Sequence, residues 1–147
     1  MCTSPRESCR PYAGHFKPPN KKSWIRPCLV IYGAYLLYAP NWRLYDGSDV
    51  VYVTYGIFDA ITLAINGVMA VSSISGKLTN PIGFSEIRKK IVIIPDLGED
   101  KEAHILASRV GWRGKVAHII YPEGCKDLND MWMRNQEEFK EMLNELG

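Results

Sequence analysis

Residues 49–60, DVVYVTYGIFDA, and residues 90–103, KIVIIPDLGEDKEA, are the two stretches that decide the predicted fold. In each, a run of apolar, mostly β-branched residues ends in a turn that leads to acidic side chains near the start of a helix. Continuous apolar runs are typical of strands that are covered on both faces, as in parallel sheets flanked by helices. Because the carboxyl ends of parallel strands meet at one edge of the sheet, the sequence predicts a site at that edge.

The rest of the chain continues this alternation of strands and helices. We expect strands at residues 50–54, 68–73, 91–95 and 116–121, and helices at residues 59–66, 84–89, 101–110 and 128–146. The predicted fold class is therefore α/β: a mostly parallel four-stranded sheet of the Rossmann type, flanked by helices. Residues 24–48 are aromatic and β-branched, which indicates a short β-hairpin before this domain.

Charge and proline content divide the chain into three predicted parts. Residues 1–23 are rich in proline and basic side chains, so we expect a flexible arm that contacts phosphates, a merely solvated tail being the alternative. Residues 24–48 form the lead-in hairpin, and residues 49–147 form the α/β domain. The formal net charge of the whole chain is only +2, so bulk charge by itself gives no argument for a nucleic-acid partner.

Cysteine spacing and hydropathy indicate where the protein works. The four cysteines form no C-x-x-C pair, which argues against a zinc finger or ribbon, and they suggest no disulfide framework. The apolar stretch at residues 28–39 is too short to span a bilayer, and the N-terminus has no signal-peptide core. We therefore expect a soluble cytoplasmic protein with no membrane partner.

Acidic side chains lie close behind the first and third strands of the predicted parallel sheet. Asp59 lies near the start of the helix after the first strand, and Asp96 follows the third strand after a proline. Carboxylate oxygens are the ligands that Mg²⁺ prefers, so we expect a metal or phosphate site here. The predicted metal ligands are Asp96, Glu99 and Asp100.

Basic side chains complete the predicted site as phosphate-binding groups. Lys77 lies in a Ser-Gly-Lys fragment of a phosphate loop whose full pattern is absent, and Lys126 follows the fourth strand. The arm supplies three more members of this set: Arg10, Lys21 and Lys22.

The acids also have structural roles that remain open at this point. Asp59 and Asp127 stand where a helix N-cap belongs, and capping alone favours aspartate there. Glu99 and Asp100 open a helix, where the helix dipole favours acidic side chains. Asp96, directly after a buried strand and a proline, is the hardest to account for in this way.

Taken in order, these motifs resemble a toprim domain, the catalytic module of primases, topoisomerases and small nucleases. Residues 55–60, YGIFDA, are similar to the Glu-Gly-x-x-Asp-Ala motif of primase-type toprim domains, apart from Tyr55 at the Glu position. Residues 93–103, IIPDLGEDKEA, resemble the Asp-x-Asp segment of the family. Residues 121–132, YPEGCKDLNDMW, are similar to its closing Lys-Asp-x-Asn-(Asp/Glu) signature. The resemblance covers about residues 42–135 and is to the primase and primase–helicase versions of the domain. Residues 43–53, RLYDGSDVVYV, are also similar to the approach into this domain in primase-like proteins of mobile elements.

The resemblance implies roles for these residues, and also the loss of some of them. In the family the Glu is the general acid/base and the Asp-x-Asp pair holds Mg²⁺. Here Tyr55 replaces the Glu, and Gly98 falls at the second Asp position, where Glu99 or Asp100 would have to substitute. Losing a general acid/base typically costs about 10²–10⁴ in rate. Residues that preserve the motif's structure are Gly56, Asp127 and Asn129.

The resemblance thus implies a protein of DNA replication or DNA processing with an eroded Mg²⁺ site. We expect it to bind nucleic acid, DNA or RNA, or to dock to a replication protein. One alternative is an active Mg²⁺-dependent nuclease or primase-type nucleotidyltransferase in which Asp59 and Asp96 are catalytic. Another is a domain that binds a nucleotide or other small ligand.

Overall fold

The structure is a computed structural model that describes residues 28–32, 35–73, 84 and 87–146. Within these residues the chain has four α-helices and one six-stranded sheet, which confirms the predicted α/β class with a mostly parallel sheet. The predicted basic arm, with Arg10, Lys21 and Lys22, lies outside the described residues, as does Lys77. No helix in the described part is both long and apolar enough to cross a membrane.

The elements follow one another along the chain as strands and helices with short connections. The strands are β1 (Cys28–Tyr32), β2 (Tyr35–Ala39), β3 (Val50–Thr54), β4 (Ala70–Ser73), β5 (Lys90–Ile94) and β6 (Gly114–Val116). The helices are α1 (Ile57–Ile65), α2 (Asp100–Val110), α3 (Leu128–Arg134) and α4 (Gln136–Leu146). A short 3-10 helix, Trp42–Leu44, leads from the hairpin towards β3.

The strand β3 lies at the centre of the parallel part of the sheet. The spatial order is β1-β2-β4-β3-β5-β6, and β3 pairs in parallel with β4 and with β5. Thr54, the last residue of β3, is level with Ser72 in β4 and with Ile94 in β5. The chain therefore leaves these three strands at one common edge, which we call the carboxyl edge.

The hairpin formed by β1 and β2 is part of the same sheet. These strands pair antiparallel, as predicted, and β2 also pairs antiparallel with β4 through Leu37↔Ser73 and Tyr38↔Ser72. Without β2, the backbone of β4 would be an unpaired sheet edge, a feature that natural proteins usually cover. The hairpin thus covers one side of the parallel core, which the sequence did not predict.

Helices cover both faces of β3, which explains why its sequence is apolar throughout. Val51 and Val53 face a core cluster shared with Ile93 and Leu106 of α2. Tyr52, on the opposite face, packs against a second cluster. The main buried members of that second cluster come from α1, β5, α3 and α4: Ala60, Leu63, Ile94, Leu128 and Phe139.

The fourth parallel strand is shorter and earlier than predicted. A strand was expected at residues 116–121, but β6 ends at Val116, and Ala117 N–H makes one more hydrogen bond, 2.8 Å to the carbonyl of Ile93. The neighbouring strand β5 ends before Pro95, which has no N–H to donate. The ladder therefore has no partner for the chain beyond Ala117.

The predicted closing helix is in fact two helices separated at Asn135. The backbone of Asn135 is extended, with φ −155° and ψ 104°, and its side-chain oxygen accepts hydrogen bonds from the N–H groups of Glu137 and Glu138. Asparagine competes in this way with helical backbone bonds and favours a helix start. A short helix was also expected at residues 84–89. Ile87 to Lys89 are irregular, and residues 85 and 86 lie outside the described residues.

Candidate functional site

Asp59 is a buried carboxylate that joins two helices. It lies in the first turn of α1, only 4% exposed, and its Oδ1 accepts a hydrogen bond from the backbone N–H of Asn129 at 2.9 Å. The N-cap of α1 is Gly56, so the interpretation that Asp59 caps its own helix is wrong. Asp59 instead binds an N–H group at the start of α3, a group with no acceptor inside that helix.

Gly56 leaves the space that the Asp59 carboxylate occupies. A Cβ atom at Gly56 would lie 2.5 Å from Asp59 Oδ2, far closer than such atoms approach. The turn is fixed from the preceding strand, because the Thr54 hydroxyl donates to the Gly56 carbonyl at 2.9 Å. The Tyr-Gly-x-x-Asp stretch therefore needs glycine at this position, because any side chain would overlap the Asp59 carboxylate.

The start of α3 is an ordered set of acids with backbone partners. Asp127 is the N-cap and accepts from the N–H of Asp130 at 2.7 Å, which confirms the capping interpretation for Asp127. Asp130 in turn accepts from the N–H of Lys126 at 3.1 Å. The side-chain oxygen of Asn129 accepts from the Thr62 hydroxyl at 3.2 Å, a second connection to α1.

Asp96 lies beside this helix start, in the loop after β5. The next residue, Leu97, donates its N–H to the carbonyl of Lys126 at 2.7 Å, and the Tyr121 hydroxyl donates to the carbonyl of Pro95 at 2.8 Å. These bonds hold the loop after β5 against the segment before α3. Asp96 is half-buried there, and Lys126 is exposed at the same edge.

The carboxylates of this edge share one electrostatic environment. Burial, together with the nearby charges of Asp59, Glu99 and Asp127, raises the pKa of Asp96 to about 7. Burial also raises the pKa of Asp59 to about 6, against the lowering effect of its hydrogen bond from Asn129. Asp59, Asp96 and Asp127 come from three separate chain segments, and the fold brings them together, as the sequence predicted for the first two.

Tyr55, at the position of the Glu in the motif that residues 55–60 resemble, lies on the α2 side of the sheet, where Glu99 and Asp96 are close enough to affect its hydroxyl. It is 8% exposed and packs in the cluster beneath α2, with Val53 and Ala103. Its hydroxyl is buried without a hydrogen-bond partner among the described residues. Burial, with Glu99 next, raises the pKa of Tyr55 to about 12. The phenol therefore stays protonated near neutral pH, and it can donate a hydrogen bond but cannot serve as a base.

The predicted metal ligands follow one another around the start of α2. Asp96 precedes the turn, Glu99 is the helix N-cap without a side-chain cap bond, and Asp100 is exposed in the first turn. In the part of the chain that the structure describes, no group of three or more His, Cys, Asp or Glu side chains is arranged to hold a metal ion. The oxygen donors fit the chemistry of Mg²⁺, which commonly uses one or two carboxylates together with phosphate oxygens. In the described part of the chain, Asp96, Glu99 and Asp100 therefore do not form a preformed metal site of three carboxylates.

Sequence reasoning missed two contributors to this edge. Tyr121 was expected inside a strand, but its hydroxyl donates to the carbonyl of Pro95, the residue before Asp96. Burial, with the charge of Asp96 next, raises the pKa of this hydroxyl. Asp130, the last residue of the closing signature, was given no role, although its position three residues after Asp127 is that of the acid in a capping box.

No protein-family model, curated protein or solved structure matches this chain. The toprim likeness thus depends on the sequence motifs alone.

Substituting Gly56 by alanine should destabilise the protein by about 1–3 kcal/mol, because the new Cβ overlaps the Asp59 carboxylate. Urea unfolding measures this loss. Gly47→Ala is the matched control, since its Cβ would meet nothing closer than the Leu44 carbonyl at 4.0 Å. In an Asp59→Ala background the cost of Gly56→Ala should shrink. Equal costs in both backgrounds would show that the overlap is not the cause.

Replacing Asp96 by asparagine should make the protein relatively more stable at high pH. The raised pKa of about 7 means that the folded state holds a proton which the unfolded chain, with an ordinary Asp pKa of about 3.9, releases. The contribution of protonated Asp96 to the free energy of unfolding is fully present below about pH 4, and it is lost as the pH rises through about 7. Urea unfolding from pH 4 to 8 should show that the free energy of unfolding of Asp96→Asn rises relative to that of the parent protein as the pH increases. Asp49→Asn, at an exposed turn position, should not.

Proposed function

We propose that this chain is a toprim-like domain of a DNA replication or DNA-processing system that binds nucleic acid at the carboxyl edge of its sheet. The observation that carries the proposal is that hydrogen bonds hold the segments of Asp59, Asp96 and Asp127 together at that edge: Asn129 N–H to Asp59, Asp130 N–H to Asp127, and Leu97 N–H to the Lys126 carbonyl. Asp59, Asp96 and Asp127 are the positions at which the three toprim-like motifs place an aspartate. In parallel α/β sheets this edge is where ligands bind.

The acids alone would repel phosphate, so binding at this edge needs positive charge. Lys126, exposed beside the start of α3, supplies one ammonium group from the chain itself. Mg²⁺, when bound by Asp96 with Glu99 or Asp100, would supply charge that offsets the phosphates. Because these carboxylates form no preformed cage, we expect the ion to bind weakly in the absence of nucleic acid.

Catalysis at this edge is expected to be weak because Tyr55 occupies the acid/base position. Its phenol, with a pKa of about 12, does not accept a proton at neutral pH. Removing a general acid/base typically lowers the rate about 10²–10⁴-fold. The protein would then act mainly by binding nucleic acid, or by docking to a replication partner.

A Mg²⁺-dependent nuclease or nucleotidyltransferase is the second candidate, and one observation favours it. The pKa of Asp96 is raised to about 7, close to working pH, which is the range that suits a general acid or base. In that case Asp96 itself would exchange the proton that the family's Glu exchanges, and Asp59 would lie next to it.

Binding of fluorescein-labelled single- and double-stranded DNA at pH 8, with Mg²⁺ and with EDTA, tests the main proposal. Mg²⁺ should strengthen binding by the parent protein, and Asp96→Asn should lose most of that gain because a ligand is missing. Asp49→Asn, an exposed aspartate at the other end of β3, is the matched control and should keep the gain. Affinity that is unaffected by Mg²⁺, or equal in the parent and Asp96→Asn, would contradict the proposal.

Restoring the carboxylate with Tyr55→Glu tests whether catalysis was lost at this position. Nicking or primer synthesis with Mn²⁺ should rise by about 10²–10⁴-fold, since a group able to take a proton returns. Tyr55→Phe, which removes only the hydroxyl, should show no such rise. Glu at this buried position will reduce stability, so thermal unfolding must first show that the variant is folded. A folded Tyr55→Glu protein with no gain in rate would overturn this account of the weak catalysis.

A further inference from the structure

The opposite edge of the sheet, where the parallel strands begin, carries basic side chains around an exposed tryptophan. We call these residues the amino-edge patch: Arg88, Lys90, Trp112, Arg113 and Lys115. We propose that the amino-edge patch is a separate binding surface for single-stranded nucleic acid that works without a metal ion. It goes beyond the proposed function, because it involves none of the residues of the carboxyl edge.

The patch is assembled from the starts of two neighbouring strands. Lys90 is the first residue of β5, and Arg113 directly precedes β6. The two strand starts are joined by a hydrogen bond from the N–H of Ile91 to the carbonyl of Arg113 at 2.8 Å. Lys115 is level with Val92, so its backbone lies two positions along the ladder from Lys90. The basic groups therefore come from adjacent strands rather than from scattered parts of the surface.

Trp112 stands in a tight turn with a fixed backbone. The turn is closed by hydrogen bonds from the N–H of Gly111 to the carbonyl of Ala107 at 3.1 Å and from the N–H of Gly114 to the carbonyl of Gly111 at 2.9 Å. Gly111 has a positive φ of 86°, and a Cβ at Gly114 would meet the Ala107 carbonyl at 2.6 Å, so both glycines are needed. Trp112 is 87% exposed on this turn. An aromatic ring on a fixed backbone loses little conformational entropy on binding.

The basic side chains of the patch are available for an external anion. Arg88, Lys90 and Lys115 are exposed, and Arg113 is half-buried. Within the ranges that the structure describes, none of these four side chains forms a salt bridge with a carboxylate. The neighbouring Lys89 is different, because its ammonium donates to the carbonyls of Tyr45 and Ser48, and it is therefore not part of the patch.

Charge is strongly divided between the two edges of the sheet. Next to the amino-edge patch, Asp46 and Asp49 are exposed in the turn before β3, and the N–H of Lys90 donates to the carbonyl of Asp49 at 3.3 Å. The carboxyl edge carries the opposite charge, in Asp59, Asp96, Glu99, Asp100, Asp127 and Asp130. The small net charge of +2 conceals this separation. Phosphates are therefore attracted to the amino edge without any help from a cation.

Single-stranded nucleic acid is the partner that fits both features of the patch. Unpaired bases stack on an exposed aromatic ring while the backbone phosphates contact nearby cations. In a duplex the base faces are already stacked, so Trp112 would contribute little. An anionic membrane would need a broader apolar face for insertion, and Trp112 is the one large apolar side chain exposed in this turn.

Fluorescence anisotropy of the full chain with a labelled oligothymidine of about 20 nucleotides, in EDTA, tests the proposal. Trp112→Ala should weaken binding about tenfold or more, because one base can no longer stack on the indole ring. Lys90→Ser and Lys115→Ser should each weaken binding and lower the salt slope by about 0.7 for every phosphate that the side chain neutralises. Lys140→Ser is the matched control, because Lys140 is an exposed lysine on α4 that pairs with Glu137 at 3.2 Å, away from the amino-edge patch. It should bind like the parent.

Two further measurements distinguish the amino-edge patch from the carboxyl edge and from a membrane-binding surface. Asp96→Asn should keep its affinity for oligothymidine in EDTA even if it loses the effect of Mg²⁺ on binding. The result for the amino-edge patch is therefore independent of the result for the carboxyl edge. Vesicles of phosphatidylserine and phosphatidylcholine should not bind in a Trp112-dependent way. The proposal is overturned if Trp112→Ala and both lysine variants bind oligothymidine like the parent, or if vesicles rather than oligothymidine show the dependence on Trp112. Circular dichroism melting checks that each variant is folded.

Discussion

The hydrogen bond from the Asn129 N–H to the buried carboxylate of Asp59 is the interaction on which the carboxyl edge depends. A buried acid without such a partner is costly, so Asp59 holds the start of α3 against α1. That position sets Lys126, whose carbonyl accepts from the N–H of Leu97 and so fixes the loop that carries Asp96. These two bonds together align the turn after β3, the loop after β5 and the segment before α3, and the first of them requires Gly56 to have no side chain.

The same arrangement brings together carboxylates that repel one another. Asp59 and Asp96 have raised pKa values because they are buried and because they face other acids. A fold selected only for stability would gain by replacing Asp96, since a neutral residue avoids the cost of burying charge. The buried hydroxyl of Tyr55, which has no hydrogen-bond partner among the described residues, is a further cost of about 1–3 kcal/mol. Costs of this kind are characteristic of sites that bind or transform a ligand.

The two edges of the sheet have opposite charge because the two ends of each strand meet different segments. Helices that follow the strands begin at the carboxyl edge. Acids there cap the helices, as Asp127 does for α3, or interact favourably with the positive end of the helix dipole. The turns that return the chain to the sheet lie at the amino edge and carry basic residues such as Arg113. If both proposed surfaces function, a nucleic acid strand would have two contact regions of different chemistry on one small domain.

Local sequence determined the strands β3 and β5, the helices α1 and α2, and the place of Asp59 and Asp96 near strand ends. These features follow from apolar runs, turn residues and helix starts that lie within a few residues of one another. The end of β6 and the break at Asn135 were mispredicted. The first depends on a partner strand that stops before Pro95, and the second depends on a side chain competing for backbone N–H groups. Only the tertiary structure decided that the hairpin joins β4, that Asp59 bonds to α3, and that Tyr55 packs beneath α2. Each of these depends on which distant segments become neighbours, and no local pattern of residues specifies that.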